Sequence, residues 1–92
     1  MERIMVVGAG QMGSGIAQVH IEAGFQVILH DIDREHLDKG RQTIAYNLER
    51  NVKKQRISEQ EKAEMLARIR YTTDFNEAKH ADLIIEAAVE KL

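Results

Sequence analysis

Two short apolar runs, Ile4-Met5-Val6-Val7 and Val27-Ile28-Leu29, are unbroken by polar residues and bounded by polar or turn-forming ones. Such runs are too short for helices and read as strands buried on both faces, Arg3–Val7 and Gln26–His30. Between them the period changes. Met12, Ile16, Val19 and Ala23 recur at helical spacing, and Gly24 falls where a left-handed C-terminal cap belongs. From about Asp33 to Arg56 the pattern is helical again, with Leu37, Ile44, Leu48 and Val52 on one stripe and charges opposite. At 1.5 Å per residue this helix is on the order of 35 Å long, more than a crossover to a parallel strand needs. Ser58 and Glu61 then form a capping-box pair that starts a further helix carrying Met65, Leu66 and Ile69. The two helices are expected to make a hairpin over residues 33–69 that projects beyond the sheet. A short strand near Arg70-Tyr71-Thr72, a helical turn from Asn76 to Lys79 and a last strand, Asp82–Glu86, complete the pattern.

Strands alternating with helices in this way predict an α/β fold with a parallel sheet and right-handed crossovers. The first strand runs directly into Gly8-Ala9-Gly10-Gln11-Met12-Gly13, and a helix follows. A Gly-x-Gly-x-x-Gly pattern is weak by itself; between a strand and a helix, with an acid at the end of the next strand, it is the signature of a dinucleotide site. Gly8 allows the tight turn, Gly10 the approach of a pyrophosphate, and Gly13 close packing of the helix on the strand. The helix starting near Gln11 aims its N–H groups at the phosphates. Asp31, 23 positions after Gly8, stands where a carboxylate accepts hydrogen bonds from the adenosine ribose. It would repel a 2′-phosphate, which favours NAD, while the nearby Arg34 keeps NADP in play. Asp31 could also cap the long helix, a task open to Asp33 as well. The fold class expected is a truncated Rossmann-like parallel sheet. Residues 1–92 would form the N-terminal part of a dinucleotide-binding domain, because a doubly wound fold has strands still to come after the fourth.

Composition narrows the partners. Ninety-two residues, 43% hydrophobic and 30% charged, hold one small globular domain at most. Thirteen Lys and Arg against 15 Asp and Glu give a net charge of −2, which argues against nucleic acid or an anionic membrane as a general partner. No cysteine is present, and no apolar run reaches the length of a membrane span, so the expected location is the cytoplasm. Arg50, Lys53, Lys54 and Arg56 place four cations within seven residues, either as a solvated helix face or as a clamp for a phosphorylated ligand. Among the four histidines, His20 and His36 read as helix-surface or boundary residues and His80 as part of a polar turn. His30, next to Asp31, is either structural or near an adenine edge. No metal-ligand spacing and no nucleophile triad is seen.

The run Gly8-Ala9-Gly10-Gln11-Met12-Gly13-Ser14-Gly15-Ile16-Ala17-Gln18, the long charged hairpin and Ile85-Glu86-Ala87-Ala88-Val89-Glu90 together resemble the start of the L-3-hydroxyacyl-CoA dehydrogenases. The bacterial 3-hydroxybutyryl-CoA group looks closest. The resemblance implies NAD contacts at Gly8, Ala9, Gly10, Gln11, Met12 and Gly13, at Asp31, and at Ala87 and Glu90, the last two near the nicotinamide half. It implies an acyl-CoA substrate held in part by the hairpin, with Lys54 matching a family lysine and Asn47 standing where relatives often have serine. Lys91 departs from the asparagine common after that glutamate. The family's catalytic serine, histidine with its glutamate partner, and asparagine match no position here, so the chain is expected to bind cofactor and turn nothing over. A homo-oligomer is also expected. Two other readings stay open: another hydroxyacid or sugar-acid dehydrogenase, and a non-catalytic nucleotide-binding or assembly module.

Overall fold

Four parallel strands in the order β3-β2-β1-β4 form the centre of the computed structural model, which describes residues 2–87. In chain order the elements are β1 (Arg3–Val7), α1 (Gln11–Glu22), β2 (Gln26–His30), α2 (Arg34–Lys53), α3 (Glu59–Ala67), β3 (Ile69–Thr72), a short 3-10 helix (Phe75–His80) and β4 (Leu83–Glu86). Val6 pairs with Leu29 on one side and Ile85 on the other, and Leu29 pairs in turn with Tyr71. The central strand β1 therefore touches its next neighbour in sequence and its most distant one. Asp82 fixes the latter pairing: its N–H donates to the Arg3 carbonyl at 2.7 Å, and its carboxylate accepts from the Arg3 N–H at 2.9 Å.

Alternation along the strands sends Ile4, Val6, Val27 and Leu29 to one face, where Ala17 and Ile21 of α1 and Leu37, Ile44 and Leu48 of α2 cover them. Ile57, Met65 and Leu66 pack on the same cluster, so the helical hairpin is anchored to the core along its returning limb. On the other face Phe75 of the 3-10 helix meets His30 edge-on, with ring centroids 5.5 Å apart. His30 is buried there, and neither ring nitrogen has a hydrogen-bond partner.

The helix ends follow local chemistry. Around Gly24, at φ +100°, the N–H of Phe25 donates to the His20 carbonyl and that of Gly24 to Ile21, the paired bonds of a Schellman motif. Asp33 caps α2 by accepting the Glu35 N–H. At α3 both halves of the capping box form: Ser58 Oγ accepts the Glu61 N–H at 3.0 Å, and the Glu61 carboxylate accepts the Ser58 N–H at 2.8 Å.

Three expectations are corrected. Ile69 is not on the second hairpin helix, which ends at Ala67; it begins β3, paired with Val27 of β2. The apolar spacing in α1 does not mark its buried face: Met12 and Val19 are 56% and 60% exposed, and Gly13, Ser14, Ala17 and Ile21 are buried instead. The helix lies so near the sheet that only small side chains fit beneath its first turns. The long helix ends at Lys53 rather than near Arg56, because Gln55 takes a left-handed backbone (φ 61°), and Val52 is only half-buried.

Candidate functional site

The site grows from the junction of β1 and α1. Gly8 has φ 107°, a conformation that side chains disfavour, and its N–H donates to the His30 carbonyl at 2.7 Å. The turn brings the next N–H, that of Ala9, to 2.9 Å from Asp31 Oδ2. Gly13 sits so close beneath that a Cβ there would lie 1.6 Å from the Gly8 carbonyl oxygen. A Cβ at Gly10 would meet nothing within 4 Å. One glycine thus lets the helix press on the strand, and the other leaves open space above the loop. The first turn of α1 contains no acid, so its free N–H groups present positive potential to that space.

A cleft of about 510 Å³ opens here, lined by Gly8, Gly10, Gln11, Met12, Asp31 and Ala87, with Ile32, Asp33 and His36 at its side. Ala87 is buried, and its N–H donates to the Val7 carbonyl at 2.8 Å. Ile32 is 86% exposed, a bare aliphatic side chain on the rim. A second cleft of about 340 Å³ lies between α1 and α2, and Gly10, Gln11 and His36 border both.

Asp31 is the fixed charge of the site. Its Oδ2 accepts from Ala9 and its Oδ1 from the Asp33 N–H at 2.9 Å, while helix capping is left to Asp33. Partial burial raises its carboxyl pKa, but the two backbone donors and nearby His36 outweigh that and hold it below the usual carboxylate value. The carboxylate is therefore ionised at neutral pH, with acceptor capacity to spare.

The hairpin residues lie apart from this cleft. Asn47 is half-buried and donates from Nδ2 to Gln18 Oε1 at 3.0 Å, joining α2 to α1. Lys54, at the C-cap of α2, is exposed and makes no ion pair among the described residues. The other three cations are exposed too, and Arg50 stacks over Tyr46 at 5.9 Å. Glu90 and Lys91 lie outside the described residues. His20 bonds the Ile16 carbonyl at 2.7 Å, and His80 is exposed on the 3-10 helix.

Sequence reasoning missed two residues beside the site. His36 reaches both carboxylates of the β2–α2 loop, with Nδ1 3.4 Å from Asp31 Oδ2 and Nε2 3.6 Å from Asp33 Oδ2. The available signal was its place three residues after the capping Asp33, since side chains there fold back over the helix start. Gly40 was the other: a Cβ on it would lie 2.6 Å from Ser14 Oγ and 3.2 Å from the Ala9 carbonyl, so α2 can approach the glycine loop only without one.

Comparison with known proteins agrees with this geometry. A family model described as "3-hydroxyacyl-CoA dehydrogenase, NAD binding domain" matches residues 3–92. The chain is 43% identical over 91 residues to a 3-hydroxybutyryl-CoA dehydrogenase of Bradyrhizobium diazoefficiens, covering 99% of this chain and 31% of that protein. It is 40% identical over 92 residues to a probable 3-hydroxybutyryl-CoA dehydrogenase of Bacillus subtilis, covering 100% of this chain and 32% of that one. Its fold superposes with a TM-score of 0.94 on the crystal structure of (S)-3-hydroxybutyryl-CoA dehydrogenase from Ralstonia eutropha, at 40% identity, over 100% of this chain and 32% of the other. The chain thus spans about a third of the length of the relatives it matches.

Proposed function

The chain belongs to the family of 3-hydroxyacyl-CoA dehydrogenase NAD-binding domains, and from that premise we propose that it forms the cofactor-holding portion of an enzyme interconverting 3-hydroxyacyl-CoA and 3-ketoacyl-CoA. The observation that carries this reading is the pairing of an open cradle at Gly10 with an ionised Asp31 tied to the same loop. The residues suit a dinucleotide: N–H groups of the α1 start for the pyrophosphate, Asp31 for the ribose hydroxyls, and a rim at Ile32 for an apolar ring face. Gly8, Ala9, Gln11, Met12, Gly13 and Ala87 would line its path, and Glu90 is proposed as a further cofactor contact. NAD supplies the hydride acceptor; the work of these residues is to bind and orient it. The charge of Asp31 favours NAD over its 2′-phosphorylated form.

Asn47 on α2 and Lys54 at its C-cap, seven positions apart and so about 10 Å along the helix direction, would hold the acyl-CoA. Lys54 offers a free ammonium to a phosphate. Asn47 keeps its carbonyl and one N–H beyond the bond to Gln18. A cytoplasmic enzyme is the simplest setting, and among the described residues no helix is long and apolar enough to cross a membrane.

Calorimetric titration with NADH, NADPH and acetoacetyl-CoA tests the reading. NADH should bind in preference to NADPH, and Asp31→Ala should weaken it; a folded chain that binds neither nucleotide would sink the proposal. No NADH oxidation is expected from these 92 residues with acetoacetyl-CoA. Self-association is also proposed: among the described residues β4 is an edge strand, on which Leu83 and Ile84 are exposed. Light scattering at rising concentration should show more than the monomer mass, and a constant monomer would count against it.

A further inference from the structure

We propose that His36 is a cofactor-site residue that competes with the adenosine ribose for Asp31 and thereby sets how tightly NAD(H) is held. The inference deepens the proposed function and rests on it. A carboxylate offers about four acceptor positions on its two oxygens. At Asp31 two of them are used, one by the Ala9 N–H and one by the Asp33 N–H. Two remain, which is what a pair of ribose hydroxyls requires, and His36 Nδ1 already stands 3.4 Å from Oδ2.

The protonation state of His36 decides who uses that acceptor. A neutral ring carries no charge and only one proton for two carboxylates, so its hold on Oδ2 yields to a ribose hydroxyl. Once charged, the ring is attracted by both carboxylates, with Nδ1 3.4 Å from Asp31 Oδ2 and Nε2 3.6 Å from Asp33 Oδ2. The imidazolium then holds the carboxylate against the incoming hydroxyl. Because His36 is more than half exposed, it can exchange its proton and swing away without disturbing the core.

Among the described residues, the charges facing His36 are few. The β2–α2 loop supplies Asp31 and Asp33. On α2, Arg34 and Glu35 precede it with opposite signs, and Lys39 lines the same interhelical cleft. The α1 side contributes Gln11 and Ser14, both uncharged. Asp31, held below the usual carboxylate value, keeps its charge throughout the range in which imidazoles titrate.

The test is calorimetric titration of the full chain with NADH at about pH 8 and about pH 5.5, limits that bracket imidazole ionisation, on the native sequence and on His36→Gln. The native chain should lose about twofold to fivefold in affinity on acidification, the scale of one exposed ion pair. His36→Gln should bind with nearly the same affinity at both values. Native affinity that does not change with pH would overturn the inference while leaving the nucleotide site intact, and so would an equal slope in the variant. Absence of NADH binding at either pH would overturn the proposed function and this inference with it. Proton linkage supplies a second readout on the native chain: saturating NADH should move the imidazole NMR titration of His36, assigned by its loss in His36→Gln, to lower pH. An unmoved titration would overturn the inference too.

Discussion

At single residues the site depends on what is missing from two glycines. Gly13→Ala would put a methyl into the Gly8 carbonyl, backbone against backbone, and should cost about 1–3 kcal/mol or more as overpacking, measured by urea denaturation. Gly10→Ala meets nothing within 4 Å, so its stability should change by less than about 1 kcal/mol while nucleotide affinity falls, because the added methyl occupies the cradle. Equal destabilisation by the two changes would refute this division of labour. Asp31 has its own signature in acid. Its pKa is lowered in the fold, so its contribution is complete above the carboxylate's unfolded value near 3.9 and is lost as pH falls through the lower folded value. Asp31→Asn should therefore narrow the stability gap to the native chain as pH drops below about 4. The loop and Asp31 were readable from sequence because both belong to one local pattern, strand, turn, helix and strand. His36 and Gly40 were not, because their partners Asp31, Ser14 and Ala9 meet them only once α2 lies against α1.

Elements form where local rules and packing agree. Ser58→Ala removes one bond of the α3 capping box and leaves the Glu61 N–H without its partner, which should cost about 1 kcal/mol in thermal or urea unfolding. A loss below a few tenths would mean that α3 is held by Met65 and Leu66 alone. Capping boxes, glycine caps and buried strand runs were legible because each is a short-range chemical pattern. The buried face of α1 was not. Periodicity rewards large apolar residues, whereas this helix runs so near the sheet that Gly13, Ser14 and Ala17 are the residues beneath it, and Met12 and Val19 face outward. Gly13 marks the close approach itself, but which further residues then face the sheet is set by how the assembled layers meet. The end of α2 was misplaced for a related reason: charged residues through Arg56 fit a helix, but Gln55 departs into the left-handed region and the chain turns there.

For the whole molecule, the strand order β3-β2-β1-β4 has a consequence for how the chain is made. The β1–α1–β2 unit closes over short distances, and the bond from the Ala9 N–H to Asp31 spans only 22 positions. The other flank of β1 waits for Asp82, 79 positions away from Arg3. During synthesis, therefore, the glycine loop and its carboxylate can meet once Asp31 is available, while β1 pairs with β4 only after Asp82 is. Long-range parallel pairing is slow because the entropy of the intervening loop is lost before the contact rewards it. Pulsed hydrogen exchange during refolding should accordingly protect the amides of β2 bonded to β1 ahead of those linking β1 to β4; simultaneous protection would show that the chain condenses in one step. The cradle at Gly10 and Asp31 would then be in place before β4 joins the sheet.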